Sequence, residues 1–200
     1  MKGSLAMSAL LFVLICGVFA QSGNPVTWEM AVVQEIGSDG QTFPPQRINL
    51  KSGDRYFIYL KSDSPGYCYV IQQDPNGASS LIFSSPFTVG RPRRIMVDEE
   101  DFITFTVPSG SGIISYDIVV SSTPRPNLEQ YWNPGRSLTR AQQTAIEDEV
   151  IAIRNSISTF AETPAKPVDM GGNVRGRGEP LKSYQYEGQA VYVKTVTIRY

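Results

Sequence analysis

The chain predicts a mainly β protein, a sandwich or barrel, with one amphipathic helix inserted before its last strand. Three observations carry that expectation. Short runs rich in Val, Ile, Tyr and Phe recur at close spacing. Gly, Pro, Asn and Asp punctuate nearly all of them. One segment, 139–160, exchanges the two-residue period for a helical one.

In chain order, residues 1–20 read as a secretory signal. Lys2 is followed by an apolar stretch over 5–18, and Val18 and Ala20 take the minus-three and minus-one positions of a cleavage point before Gln21. The stretch is shorter than the roughly 20 residues a bilayer core requires, so removal is favoured over a retained anchor. Cys16 follows Ile15 rather than a small residue, which speaks against lipidation. Residues 21–200 then make a single domain long enough for a sizeable core.

Residues 21–25 read as a flexible mature N-terminus. Residues 26–36 alternate as a first strand, with Trp28, Met30 and Val32 on one face. Residues 37–40 (GSDG) form a loop, and Pro44-Pro45 keeps the chain extended. Further strands fall at about 46–50, 55–61, 67–73, 80–83, 94–97, 102–107 and 113–121. The turn Ser64-Pro65-Gly66-Tyr67 suits type II, with positive φ at Gly66, and Asp74-Pro75-Asn76-Gly77 suits type I. Ser109-Gly110-Ser111-Gly112 links two more strands. Together these turns predict consecutive antiparallel pairing.

In the helical segment, Thr139 and Gln142 have the spacing of a capping box. Ile146, Val150, Ile153 and Ile157 form the buried stripe, and Glu147, Asp148, Glu149 and Arg154 take the other side. Such a helix packs on one sheet or closes an open end, and its acidic polar face disfavours a membrane surface. Residues 162–182, rich in Gly, Pro and charge, read as a long loop. The last strand, 189–200, is expected to pair inside a sheet. Its apolar phase shifts between Val191/Val193 and Val196/Ile198, which predicts a bulge near Lys194 and Thr195.

Composition narrows the chemistry. The chain has no histidine, so Ser-His-Asp and Cys-His sites and histidine-ligated metals are excluded. Eighteen Lys and Arg against 19 Asp and Glu argue against general nucleic-acid affinity. Beyond the signal Cys68 stands alone, so no intramolecular disulfide forms, and its place between Tyr67 and Tyr69 reads as a buried apolar thiol. Asp98, Glu99, Glu100 and Asp101 read as an exposed turn. Four consecutive acids point in different directions and make a poor calcium site, though two carboxylates leave a hydrolase open. No metal or cofactor is expected.

Candidate partner contacts are Arg91, Arg93 and Arg94, then Tyr131 and Trp132 before the helix, then Arg175 and Arg177 in the glycine-rich loop. Arginine forks recognise phosphate, headgroups or acidic partners. Local compensation of Arg91–Arg94 by the acidic run is the simpler alternative. Tyr56, Tyr59, Tyr67 and Tyr69 lie on adjacent strands and divide between faces, with packing favoured over a ligand surface.

The string Leu50-Lys51-Ser52-Gly53-Asp54, Tyr56-Phe57-Ile58, Ser64 to Ile71 (SPGYCYVI), Asp74-Pro75-Asn76-Gly77 and Leu81-Ile82-Phe83 resembles domain-of-unknown-function family 4384. Residues 102–122 resemble a later element of that family. Gly112-Ile113-Ile114 departs from its acidic residue after glycine, and Ser84-Ser85-Pro86 from its proline-first continuation. The resemblance implies an immunoglobulin-like antiparallel β-sandwich in an exported bacterial envelope protein, used for interaction or assembly. It transfers no catalytic residue. The resulting expectation is a non-enzymatic, periplasmic or envelope-associated module whose partner is another envelope protein, without nucleic acid and without stable membrane insertion after cleavage. A glycan or small-ligand binding module is the alternative, and a carboxylate-dependent hydrolase a distant third.

Overall fold

The structure, a computed structural model, describes residues 25–36, 39–44, 47–95, 105–133, 137–157, 166–170, 181–188 and 190–200. The expected signal (1–20), the acidic run (98–101) and Arg175 and Arg177 lie outside them. The described residues form β1 (Val26–Ile36), β2 (Asp39–Phe43), β3 (Arg47–Asn49), β4 (Arg55–Ser62), β5 (Tyr67–Gln73) and β6 (Ser79–Pro86). After these come β7 (Arg93–Ile95), β8 (Phe105–Thr106), β9 (Ile113–Ser121), α1 (Pro126–Glu129) and α2 (Arg140–Ser156). The chain ends with β10 (Lys166–Asp169), β11 (Lys182–Gly188) and β12 (Val191–Arg199).

The protein is mainly β, with two open sheets and little helix. One sheet runs β10-β11-β1-β4-β7, with β2 continuing the β11 side of β1 and β8 lying on the β7 side of β4. The other runs β3-β12-β9-β5-β6. All pairs are antiparallel except β3 with β12, so the sheets are not wholly antiparallel as expected. As expected, β12 sits inside its sheet.

Strand periodicity builds the core between the sheets. Trp28, Met30 and Val32 of β1 and Tyr56, Ile58 and Leu60 of β4 meet Cys68 and Val70 of β5. Tyr116, Ile118 and Val120 of β9 and Val196 and Ile198 of β12 complete it. Two smaller clusters lie outside this layer. Tyr69, Ile71, Leu81, Val119 and Val191 face outward from the second sheet and pack under Leu128, Ile146, Val150 and Ile153. Ala31, Val33, Phe57 and Tyr59 face outward from the first, with Met170 and Leu181. The central strands are therefore apolar on both faces, as in a three-layer packing.

The helix keeps its predicted start: Thr139 caps it, with a capping box to Gln142. It ends at Ser156, short of the expected 160, because Ile157 is already extended. Ile157 still packs against the second cluster. The polar side is not wholly solvent-facing. Glu147 accepts from the Ser79 hydroxyl at 2.7 Å, and Arg154 donates to Asp117 and to Thr195, tying α2 to β6, β9 and β12.

Several connections differ from expectation, all for non-local reasons. β4 and β5 belong to different sheets, so Ser64-Pro65-Gly66 is a crossover rather than a hairpin turn. Gly66 is not among the residues of positive φ. Its Cβ would instead lie 2.7 Å from the Ser121 carbonyl oxygen, so close backbone approach requires the glycine. The crossover is stapled to β1 by the Ser62 hydroxyl and the Asp63 N–H, both donating to the Thr27 carbonyl at 3.1 and 3.0 Å. Residues 109–112 likewise pass from β8 in one sheet to β9 in the other. Of the turns expected at 64–67, 74–77 and 109–112, only the Asp74 turn closes a hairpin: Gly77 donates to Asp74 at 2.9 Å with φ 78°. The Asp74 carboxylate accepts from Asn76 and Ala78.

The expected bulge at Lys194 and Thr195 is absent, since β12 pairs with β9 in continuous register. Val191 and Val193 point outward onto the helix cluster while Tyr192, Val196 and Ile198 point inward. The apparent phase shift is helix cover over one half of an ordinary strand. A bulge falls instead between Val70 and Ile71 in the β5–β6 pair. Three strands escaped the sequence reading. β2 begins in the expected 37–40 loop, β10 and the start of β11 fall in the expected 162–182 loop, and both separate α2 from the last strand.

Candidate functional site

Among the predicted partner contacts, Arg91 is exposed on the link from β6 to β7 and Arg93 is exposed at the first position of β7, opposite Leu60 of β4. Arg94 lies in β7 opposite Tyr59 of β4. The link is ordered by its own backbone: Gly90, at φ 71°, donates to the Ser62 carbonyl at 2.8 Å, and Arg91 donates to Thr88 at 3.0 Å. Val89 stands out of it with 51% of its surface exposed. Neither Arg91 nor Arg93 has an ion-pair partner among the described residues. The turn therefore presents two guanidinium groups and an aliphatic side chain on a pinned backbone.

Tyr131 and Trp132 lie elsewhere. They follow α1, are partly buried and pack on the second sheet's helix cluster. They anchor the segment that leads into α2. The four strand tyrosines divide as alternation requires. Tyr56 enters the central core, Tyr59 the outer cluster of the first sheet, and Tyr67 and Tyr69 the helix-covered face. Tyr69 donates to Glu129 at 2.6 Å and accepts from the Arg125 N–H at 2.8 Å, which fixes α1 to β5. Burial, with the Glu129 carboxylate, pushes the Tyr69 hydroxyl well above its ordinary value.

A shallow cleft of about 230 Å³ opens between α2 and the outer face of β5, β6 and β9. Gln73, Ser79, Asp117, Glu147 and Arg154 ring it, over Ile71, Val150 and Ile151. Among the described residues no aromatic side chain lines it. The helix spacing explains its helical wall, because positions 147, 150, 151 and 154 share one side of α2. Asp117 lies in register with Ile71 on β5 and Thr195 on β12, which places it under Arg154. Two carboxylates thus line one cleft, each already engaged: Asp117 by Arg154 and Thr195, Glu147 by Ser79. Sequence spacing does not reveal this pairing, since the two acids lie on separate elements joined through the tertiary fold.

Other buried polar groups are structural. Glu29, 4% exposed, accepts from Lys61 at 3.1 Å and from the Ser183 hydroxyl at 2.9 Å, so its charge is compensated. Burial opposes the Lys61 charge, but hydrogen bonds to Glu29 and Asp63 outweigh it and hold the ammonium above its usual value. The Tyr56 and Tyr116 hydroxyls meet at 2.7 Å in the core beside Phe105. Cys68 is fully buried and free, and burial pushes its thiol far up. No group of three or more potential metal ligands occurs among the described residues. No helix among them is long and apolar enough to cross a membrane.

Fold and surface together define a two-sheet β protein with one face covered by a helix, a pinned basic turn and a small mixed-charge cleft. Comparison with protein-family models, curated proteins and solved structures gives no match.

Proposed function

We propose that the protein is a non-enzymatic, exported interaction module of the cell envelope, built on an immunoglobulin-like sandwich, as the resemblance to family 4384 implies. The observation that supports this reading is the turn between β6 and β7. An exposed Val89 beside Arg91 and Arg93, which have no ion-pair partner among the described residues, on a backbone held by the Gly90 hydrogen bond to β4, combines apolar contact with charge recognition. Its preorganisation reduces the ordering cost of binding. The partner surface it fits is acidic, with carboxylates or phosphates positioned for arginine forks.

A photocrosslinking residue placed at Val89 tests the proposal in the envelope fraction, with the equally exposed Ile113 as control position. One discrete adduct is expected from position 89, lost when Arg91 and Arg93 are both changed to Glu. No discrete adduct, or the same adducts from both positions, rejects this surface as the contact.

A further inference from the structure

The cleft beside α2 carries a second recognition chemistry, independent of the basic turn. Its floor is aliphatic and buried: Ile71 and Val150 are 4% and 3% exposed. Its rim is Ile151, 52% exposed on a helix whose other large apolar side chains are mostly buried. Above that floor the two carboxylates are only half used. Asp117 accepts Arg154 and Thr195 through Oδ1, and Glu147 accepts Ser79 through Oε1. Asp117 Oδ2 and Glu147 Oε2 have no hydrogen-bond partner among the described residues.

Two acids against one guanidinium leave the cleft with an excess negative charge. That excess disfavours an anionic ligand, and a neutral donor can hydrogen-bond a carboxylate but gains no ion-pair attraction. A compact cation with several donors matches two free carboxylate oxygens, and an alkyl stem matches the aliphatic floor. A planar guanidinium is a poorer match, because its fork favours two oxygens of a single carboxylate. The volume, about 230 Å³, suits a ligand of side-chain size.

We propose that this cleft is a binding site for a primary alkylammonium group. The nitrogen donates to Glu147 Oε2 and Asp117 Oδ2, and the methylene chain lies on Ile71, Val150 and Ile151. A free amine and a lysine side chain share this chemistry.

Titration of the full chain with n-pentylamine, followed by calorimetry and by the methyl resonances of Ile71, Val150 and Ile151, tests the site. Pentan-1-ol and pentanoate serve as neutral and anionic counterparts. Nα-acetyl-lysine N-methylamide represents the lysine source. The expected result is saturable binding of the amine with a Kd on the order of 1 mM, and binding about tenfold weaker for the alcohol and the acid. Glu147→Gln, which keeps an acceptor for Ser79, weakens the amine by about tenfold. Ile151→Ser, an exposed substitution that leaves the fold intact, weakens it severalfold. The tighter of the two ammonium probes identifies the source. The proposal is overturned if neither ammonium probe saturates, if the alcohol binds as tightly as the amine, or if a folded Glu147→Gln protein binds unchanged.

Discussion

The Tyr56–Tyr116 hydroxyl pair gives a sharp test of how the two sheets are held together. The rings come from opposite sheets and are 1% and 0% exposed, with hydroxyls 2.7 Å apart and either able to donate. Replacing either tyrosine by phenylalanine preserves the ring and its burial but strands the other hydroxyl in the core. An orphaned buried hydroxyl costs about 1–3 kcal/mol, so each single variant should fall by that amount. The double variant removes both polar groups and leaves no orphan, so its loss should be well below the sum. The coupling expected from the cycle is on the order of 1–2 kcal/mol. Urea denaturation at constant slope measures it, and each kcal/mol corresponds to roughly 2–4 °C in Tm for a domain of this size. Additive single losses would refute the argument.

The same pair predicts an alkaline limb. Both hydroxyls titrate near 10.0 when exposed; burial, the largest effect, pushes Tyr56 up to about 12 and Tyr116 higher. The folded state keeps protons that the unfolded state releases. Its stability is therefore intact below pH 10 and declines as pH rises from 10 towards 12, by about 1.4 kcal/mol per pH unit for each tyrosine. In the double phenylalanine variant this decline should be shallower; an identical slope contradicts the assignment.

Two further outcomes follow from the fold. Cys68, fully buried with its thiol pushed up, should resist a thiol reagent in the native protein and react promptly in denaturant; labelling at native pH 8 at the denatured rate would place it at the surface. Gly66→Ala sets a Cβ 2.7 Å from the Ser121 carbonyl and should destabilise by about 1–3 kcal/mol in urea titration, although φ there is negative. A neutral effect would show that the crossover has room to move.

What the sequence determined by itself is local. Strand-forming runs bounded by turn residues marked β1, β5 and β9 to the residue, because Gly, Pro, Asp and Ser interrupt a strand locally wherever the core lies. The capping box at Thr139 and the Asp74–Gly77 hairpin were legible for the same reason: their hydrogen bonds join residues within five positions of one another. β11 was legible in principle, since Tyr184 and Tyr186 alternate with Ser183, Gln185 and Glu187. Its charged, glycine-rich approach concealed it.

Tertiary structure alone decided which sheet each strand joined. Pro65-Gly66 is compatible with a hairpin, yet β1 and Ser121 pull the two sides of that turn into different sheets. Tertiary structure also decided that one half of β12 is buried twice over, which sequence registers only as a break in phase. The candidate sites divide along the same line. The arginines beside Val89 are neighbours in sequence and could be read directly. Asp117, Glu147 and Arg154 become one cleft only when α2 settles across β9, because a pairing between separate elements leaves no periodic mark in either of them.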